Sequence, residues 1–202
     1  MRSVITEQDV PLAGELKVTK GTIFTPSARD MARERGVRIV EVAEGQLDPP
    51  APAKSVAIGS DHGGFQMKEG LKPILAELGY TAVDVGVYEP TPADYPDIAK
   101  KVADLVVSKQ TRFGIIVDGA GIGSCMAANK VNGIRAALCY DKSSARNSRE
   151  HNDANVLTLG GRLLTQSQAE DVLRVWLGTP FGGGRHQARI DKIMALEKAN
   201  LR

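Results

Sequence analysis

Val117-Asp118-Gly119-Ala120-Gly121-Ile122-Gly123-Ser124-Cys125 follows directly on the apolar run Phe113-Gly114-Ile115-Ile116 and opens into Met126-Ala127-Ala128-Asn129-Lys130. An apolar run, a glycine loop and a stretch of helix formers read as a strand, a tight turn and a helix N-terminus. Glycines let successive backbone N–H groups turn toward one point, and the helix adds the positive end of its dipole. The loop therefore suits an anion, or an oxyanion that develops during a reaction. Asp118 stands at the strand's end beside those donors, an arrangement for moving a proton at a carbon whose neighbouring oxygen becomes negative.

Outward from that loop the chain alternates strands with helices. Ser55 to Gly59, Ala82 to Val87, Ile134 to Tyr140 and Asn155 to Leu159 read as further strands. Helices are expected from Phe65 to Leu78, kinked or delayed by Pro73, and from Pro96 with Ile98, Val102, Leu105 and Val106 inward. Three more follow, from about Ser143 to Glu150, Gln166 to Leu177 and Gln187 to Ala199. This order predicts an α/β fold over residues 54–202, a doubly wound parallel five-stranded sheet with right-handed crossovers. Ligands of such sheets bind at the carboxyl ends of the strands.

Residues 1–45 have a different character. Thr25 caps a helix with Pro26 at its first position, the helix stops at Gly36, and Val37 to Val42 alternates like a half-buried strand. One short helix with one or two strands buries little surface, so this small N-terminal α/β extension is expected to dock on the main domain, a sister subunit or a larger assembly. Residues 46–53 hold three prolines and few apolar groups, which reads as an extended linker.

Composition excludes several classes. A net charge of +2, with acids interleaved among the basic residues, argues against nucleic acid. No apolar run approaches a membrane span and no signal-peptide core is present, so a cytoplasmic protein is expected. The two cysteines, Cys125 and Cys139, read as reduced thiols, and the three histidines show no metal-ligand spacing. No metal or cofactor is implied.

Polar side chains collect at the expected strand ends. Asp61 and His62 follow the first strand of the main domain, Asp118 the third, Asp141 the fourth and Gly160-Gly161-Arg162 the fifth. Each has a plain alternative, since strand-end aspartates often cap the next helix and a lone histidine is often structural. His151-Asn152-Asp153-Ala154-Asn155 is either a turn, because Asn and Asp bond their own backbone, or the seat of a proton shuttle, His151, that reaches a sugar ring oxygen. Arg185 and Arg189, four residues apart, share one helix face, as a solvated surface or as a phosphate clamp.

Taken together, six stretches resemble the ribose-5-phosphate isomerase B family, which includes galactose-6-phosphate isomerase subunits. They are Ser60 to Phe65, Asp94 to Asp97, Asp118 to Gly123 with Ala127 to Lys130, Gly133 to Ala137, His151 to Asn155, and Gly183 to Gln187. The resemblance covers residues 54–194 and implies a Rossmann-like dimer or tetramer, without cofactor, that interconverts an aldose phosphate and a ketose phosphate through an enediolate. It implies ring opening by His151 with Asp61 assisting, and phosphate held by His62, Arg185 and Arg189 in a site shared across the dimer interface. Tyr95 and Asn152 fall on substrate-contact positions, and Gly119, Gly121 and Gly123 on the loop that steadies the enediolate.

The sequence departs from that family at the base. Many members carry a cysteine where this chain has Asp118, others a glutamate where it has Ser124, and a common threonine is Ala120. Asp118 as base is one interpretation, because a carboxylate with a reference pKa near ~3.9 is already ionised where a thiol near ~8.5 must be activated. A non-catalytic binder of sugar phosphates is the other. A dinucleotide enzyme would share the glycine loop and an acid such as Asp141, but the third glycine of its fingerprint is Ser124 here. Thr25 to Asp30 with Gly36-Val37 resembles short segments of enzymes of bacterial microcompartments, which implies a targeting or docking role for residues 1–45.

Overall fold

The computed structural model describes residues 4–7, 10, 15–42 and 54–199. The chain divides into two compact units, Met1–Pro50 and Ala51–Arg202. The expected linker, 46–53, lies outside the described residues. Among the described residues no helix is long and apolar enough to cross a membrane.

In the first unit β1 (Val4–Ile5) pairs in parallel with β3 (Ile23–Phe24), and β2 (Glu15–Thr19) with β4 (Arg38–Val42). Helix α1 (Pro26–Glu34) starts where its sequence says it should: Thr25 Oγ1 accepts the Ala28 N–H at 3.2 Å, and Pro26 occupies the first turn. Four short strands stand where one or two were expected. Strands of two residues carry no periodicity, and each parallel pair is joined only through residues distant in sequence. Ala28 and Ala32 of α1 pack with Val10 and Val37 into a small core of the unit's own.

The second unit is a five-stranded, wholly parallel sheet in the order β6-β5-β7-β9-β8. Its strands are β5 (Ser55–Ser60), β6 (Thr81–Asp84), β7 (Phe113–Asp118), β8 (Ala136–Leu138) and β9 (Val156–Gly160). β5, β7 and β9 are buried along their whole length, as strands covered on both faces must be. The helices are α2 (Phe65–Glu77), α3 (Tyr95–Val107), α4 (Ile122–Ala128), α5 (Lys142–Glu150), α6 (Gln166–Gly178) and α7 (Gln187–Ala199). α2 runs through Pro73, because the single backbone hydrogen bond lost there is outweighed by the burial of Leu71 and Leu75 on either side.

One face of the sheet packs Ile58, Ile115, Leu157 and Leu159 against Leu71, Leu75, Leu173 and Trp176. The other packs Ala57 and Ile116 against Ala99, Val102 and Ala103 of α3. The chain reverses direction across the sheet between β5 and β7, so their carboxyl ends flank the crevice where ligands of such folds bind. At the sheet's rim, Ala136 of β8 turns its outward backbone groups to a side chain: its N–H donates to Asn129 Oδ1 at 2.8 Å, and its carbonyl accepts from Asn129 Nδ2 at 3.0 Å.

Candidate active site

The crevice is lined by three glycine loops that could not approach one another if any carried a side chain. A Cβ on Gly64 would overlap the carbonyl of Val117, and one on Gly161 would lie 2.9 Å from the Gly63 carbonyl oxygen and the Gly64 Cα. A Cβ on Gly63 would lie 3.2 Å from both Asp61 Oδ1 and Gly119 Cα, so Asp61 and the Asp118 loop border the same small volume. Asp61 is held there by the Gly64 N–H, which donates to its Oδ1 at 2.9 Å, while His62 is exposed. Tyr95, the first residue of α3, lays its ring over Gly123: a Cβ there would lie 2.6 Å from the ring. The structure thus brings Asp61, His62, Tyr95, Asp118 and the Gly119 to Gly123 loop to one edge.

Asp118 is 4 % exposed and accepts three loop amides. Oδ1 takes the N–H groups of Ala120, at 2.8 Å, and Gly121; Oδ2 takes that of Ser124 at 2.9 Å. The donors expected to face an incoming oxyanion are therefore shared, with Ala120, Gly121 and Ser124 bound to the protein's own carboxylate. The amides of Gly119, Ile122 and Gly123 are not among those it engages. An ionised carboxylate offers about four lone-pair sites, so one on Oδ2 remains for a proton. Neither cysteine supplies a thiol in its place. Cys125 Sγ points to the Ala136 carbonyl at 3.5 Å, and burial pushes the buried Cys139 thiol up to about 11.

Arg162 belongs to this edge as well. Its N–H donates to the Gly119 carbonyl at 3.0 Å, and its Cδ and Nε would lie 3.7 and 3.8 Å from a Cβ on Gly119. The sequence offered a signal, a third glycine pair at a strand end, but gave no reason to prefer the arginine that follows it.

His151, Asn152, Arg185 and Arg189 lie elsewhere. His151 ends α5 and precedes β9, whose last residue, Gly160, pairs with Asp118. With a rise of about 3.3 Å per residue, β9 alone spans about 13 Å, so His151 sits at the opposite edge of the sheet. Its ring stacks on that of His186, with centroids 4.2 Å apart and planes 9° from parallel. His186 is 8 % exposed, and its Nδ1 is buried with no hydrogen-bond partner among the described residues. Burial first, then the charges of His151, Arg185 and Arg189, hold His186 below the usual histidine range, so it is neutral at neutral pH. Arg185 and Arg189 are exposed beside it. One chain therefore carries two separate clusters: carboxylates, a tyrosine and the glycine loop at one edge, two stacked histidines and two guanidinium groups at the other. Exposed Ile122, Met126, Tyr140 and Leu163 rim the first cluster, where Tyr140 donates its hydroxyl to the Ala120 carbonyl at 3.1 Å.

Comparison with known proteins identifies the family. Residues 56–193 match the family described as Ribose/Galactose Isomerase. Ribose-5-phosphate isomerase B of Escherichia coli (strain K12) is 41 % identical over 145 residues, covering 72 % of this chain and 97 % of that protein. Among solved structures, ribose-5-phosphate isomerase B of Clostridium thermocellum is 45 % identical with a TM-score of 0.71, covering 72 % of this chain and 99 % of that one. The Mycoplasma genitalium enzyme with bound ribulose-5-phosphate is 41 % identical with a TM-score of 0.69, covering 72 % and 97 %. The match leaves residues 1–55 as an addition to the length these relatives share. On the match to residues 56–193 and the identity to its relatives, the chain belongs to the ribose/galactose isomerase family.

Proposed function

We propose that the protein interconverts a phosphorylated aldose and its ketose, with ribose 5-phosphate and ribulose 5-phosphate as the default pair, in an active site built from two copies of the chain. The observation that carries this reading is the division of the site residues over opposite edges of one sheet. Neither half suffices: the Asp118 edge has a base and amide donors without a pair of phosphate-binding arginines, and the His151 edge has the reverse. A homodimer or tetramer joins them, and the exposed apolar rim around the Asp118 edge supplies the kind of surface a second copy covers.

In this mechanism His151, assisted by Asp61, moves a proton at the sugar ring oxygen and opens the ring. Asp118 removes the proton from carbon two; the electrons form the double bond to carbon one and leave its oxygen negative. Loop amides that Asp118 does not engage, those of Gly119, Ile122 and Gly123, face that charge. Asp118 returns the proton at carbon one, while the proton of the carbon-two hydroxyl passes to the negative oxygen on carbon one, so that carbon two becomes the carbonyl. His62, Arg162, Arg185 and Arg189 hold the phosphate, and Tyr95 and Asn152 the sugar hydroxyls.

The test is turnover of a panel of tetrose, pentose and hexose phosphates by the parent and by Asp118→Asn. An amide cannot accept the proton, so turnover is expected to fall by roughly 10²–10⁴-fold while phosphate-ester binding persists. A second reading, a non-catalytic binder of sugar phosphates, is favoured by the three amides already bound to Asp118. It predicts saturable binding with no turnover in the parent. For residues 1–45 we infer a docking or targeting role, within the cytoplasm or a bacterial microcompartment. Their own small core and their position outside the family match support it.

A further inference from the structure

His151 sits one helical turn after Asn147, whose side-chain Nδ2 lies 2.9 Å from the ring Nδ1. A side-chain amide can be turned either way, so the atom that faces the ring must be assigned from its other partners. Asn152 supplies them. Its Nδ2 lies 3.4 Å from the Asn147 backbone carbonyl and 3.4 Å from Asn147 Oδ1. A backbone carbonyl only accepts, so the Asn152 atom that faces it is the donor nitrogen. That donor requires the oxygen of the Asn147 side chain, which leaves the Asn147 nitrogen for the imidazole. An N–H aimed at Nδ1 needs a lone pair there, and a neutral imidazole with its lone pair on Nδ1 carries its proton on Nε2.

We propose that Asn147 is a positioning residue that holds His151 as the Nε2–H tautomer, with Asn152 anchoring the relay. The inference rests on the ring-opening role given to His151 above and deepens it. Nδ1 is occupied by the amide, so Nε2 is the nitrogen left to meet a sugar oxygen, and the relay ensures that it arrives with a proton. The other groups around the ring do not compete for Nδ1. Glu150 Oε1 lies 4.0 Å from Nε2, and the ring stacked on His151 is the neutral His186, with Arg185 and Arg189 beyond it. Lys142 and Arg146 line the same cavity of about 300 Å³ along α5. Asp153 is committed to Arg135 and Arg149.

Nitrogen-15 NMR of the full chain labelled at histidine tests this, with the His151 signals identified by their loss in His151→Gln. At a pH where the ring is neutral, the parent is expected to show the proton on Nε2. Asn147→Asp replaces the donor with an acceptor and is expected to move the proton to Nδ1; Asn147→Leu is expected to give a mixture. Both are expected to lower kcat for the preferred sugar phosphate by about tenfold or more with KM little changed, the pattern of a wrong tautomer. Asn147 is exposed, so both variants should fold. A parent ring with its proton on Nδ1, a tautomer ratio unmoved in both variants, or unchanged kcat would overturn the proposal. The expected tautomers in a parent that turns over no sugar phosphate would instead remove the isomerase reading beneath it.

Discussion

Asp118 shows how far a single residue can be read from sequence. Its place at the end of an apolar strand, next to glycines, marked it as the acid of the site, and it is buried there. What the sequence did not disclose is that its carboxylate folds back onto the amides of its own loop. The loop makes its turn into α4 at Gly121, whose φ is +79°, and the Ser124 N–H on the far side of that turn reaches the carboxylate. The consequence is a double effect of Asp118→Asn. Beyond the loss of turnover, the carboxamide has one acceptor oxygen for three donors, so an amide is left unpaired in a buried loop at a cost of about 1–3 kcal/mol. A lowered midpoint in urea unfolding, alongside the kinetic defect, is the expected result. Asp118→Cys is expected to retain measurable turnover if the pocket accepts either base, which the same assay reads. His151 was equally visible as a polar residue in a polar run. Its position at the far edge of the sheet follows from the direction of β9, which it precedes and whose last residue pairs with Asp118.

At the scale of elements, the three glycine loops make the crevice by mutual approach. Gly64→Ala is expected to destabilise the enzyme unit by about 2 kcal/mol or more, since its Cβ would overlap backbone that cannot give way. Chemical denaturation of residues 54–202 checks it. The loop that follows β6 is fixed differently. Lys68, fully buried in α2, reaches Asp84 at 2.6 Å, with Lys72 at 3.1 Å from the same oxygen and the Gly86 N–H on the other at 3.0 Å. Burial alone would raise the Asp84 carboxyl; the Lys68 ammonium, the Gly86 amide and Lys72 outweigh it and hold the group below the usual carboxylate range. A lowered carboxyl contributes stability that is present above its unfolded pKa, near ~3.9, and is lost as pH falls through the folded value. Lys68→Met is expected to cost about 1–3 kcal/mol at neutral pH, the worth of a hydrogen bond between charged groups, because Lys72 and the Gly86 N–H stay on Asp84. It should also flatten the loss of stability on acidification below about pH 4, which thermal melts across a pH series read. Lys68 shares the helical stripe of Leu71 and Leu75, three and seven residues on, and it is β6, far along the chain, that brings Asp84 to it.

For the whole molecule, the three central strands β5, β7 and β9 were legible because strands buried on both faces leave continuous apolar runs of distinct length. In the N-terminal unit the alternation of β4 was legible, whereas β1 and β3, at two residues each, are too short to carry a pattern. The division of the site makes a prediction that no single-chain enzyme shares. On the proposed shared site, Asp118→Asn and His151→Gln are each expected to be inactive as pure dimers. Mixed after reversible unfolding, half of the random dimers hold one intact site, so about a quarter of parental activity should return. No recovery, with mixed dimers shown by mass, would place both residues in one site. Removal of residues 1–53 is expected to leave turnover unchanged, since the unit that carries the family match has its own core.

The Asn129 carboxamide on the rim of β8 has a bearing on how copies of the chain can join. It fills, at Ala136, the place a sixth strand would take beside β8, so a neighbouring sheet finds that stretch of backbone already paired and cannot stitch onto it there. Asn129→Ala would uncover that seam, and slow polymerisation into ribbon-like material, followed by light scattering, is the expected price.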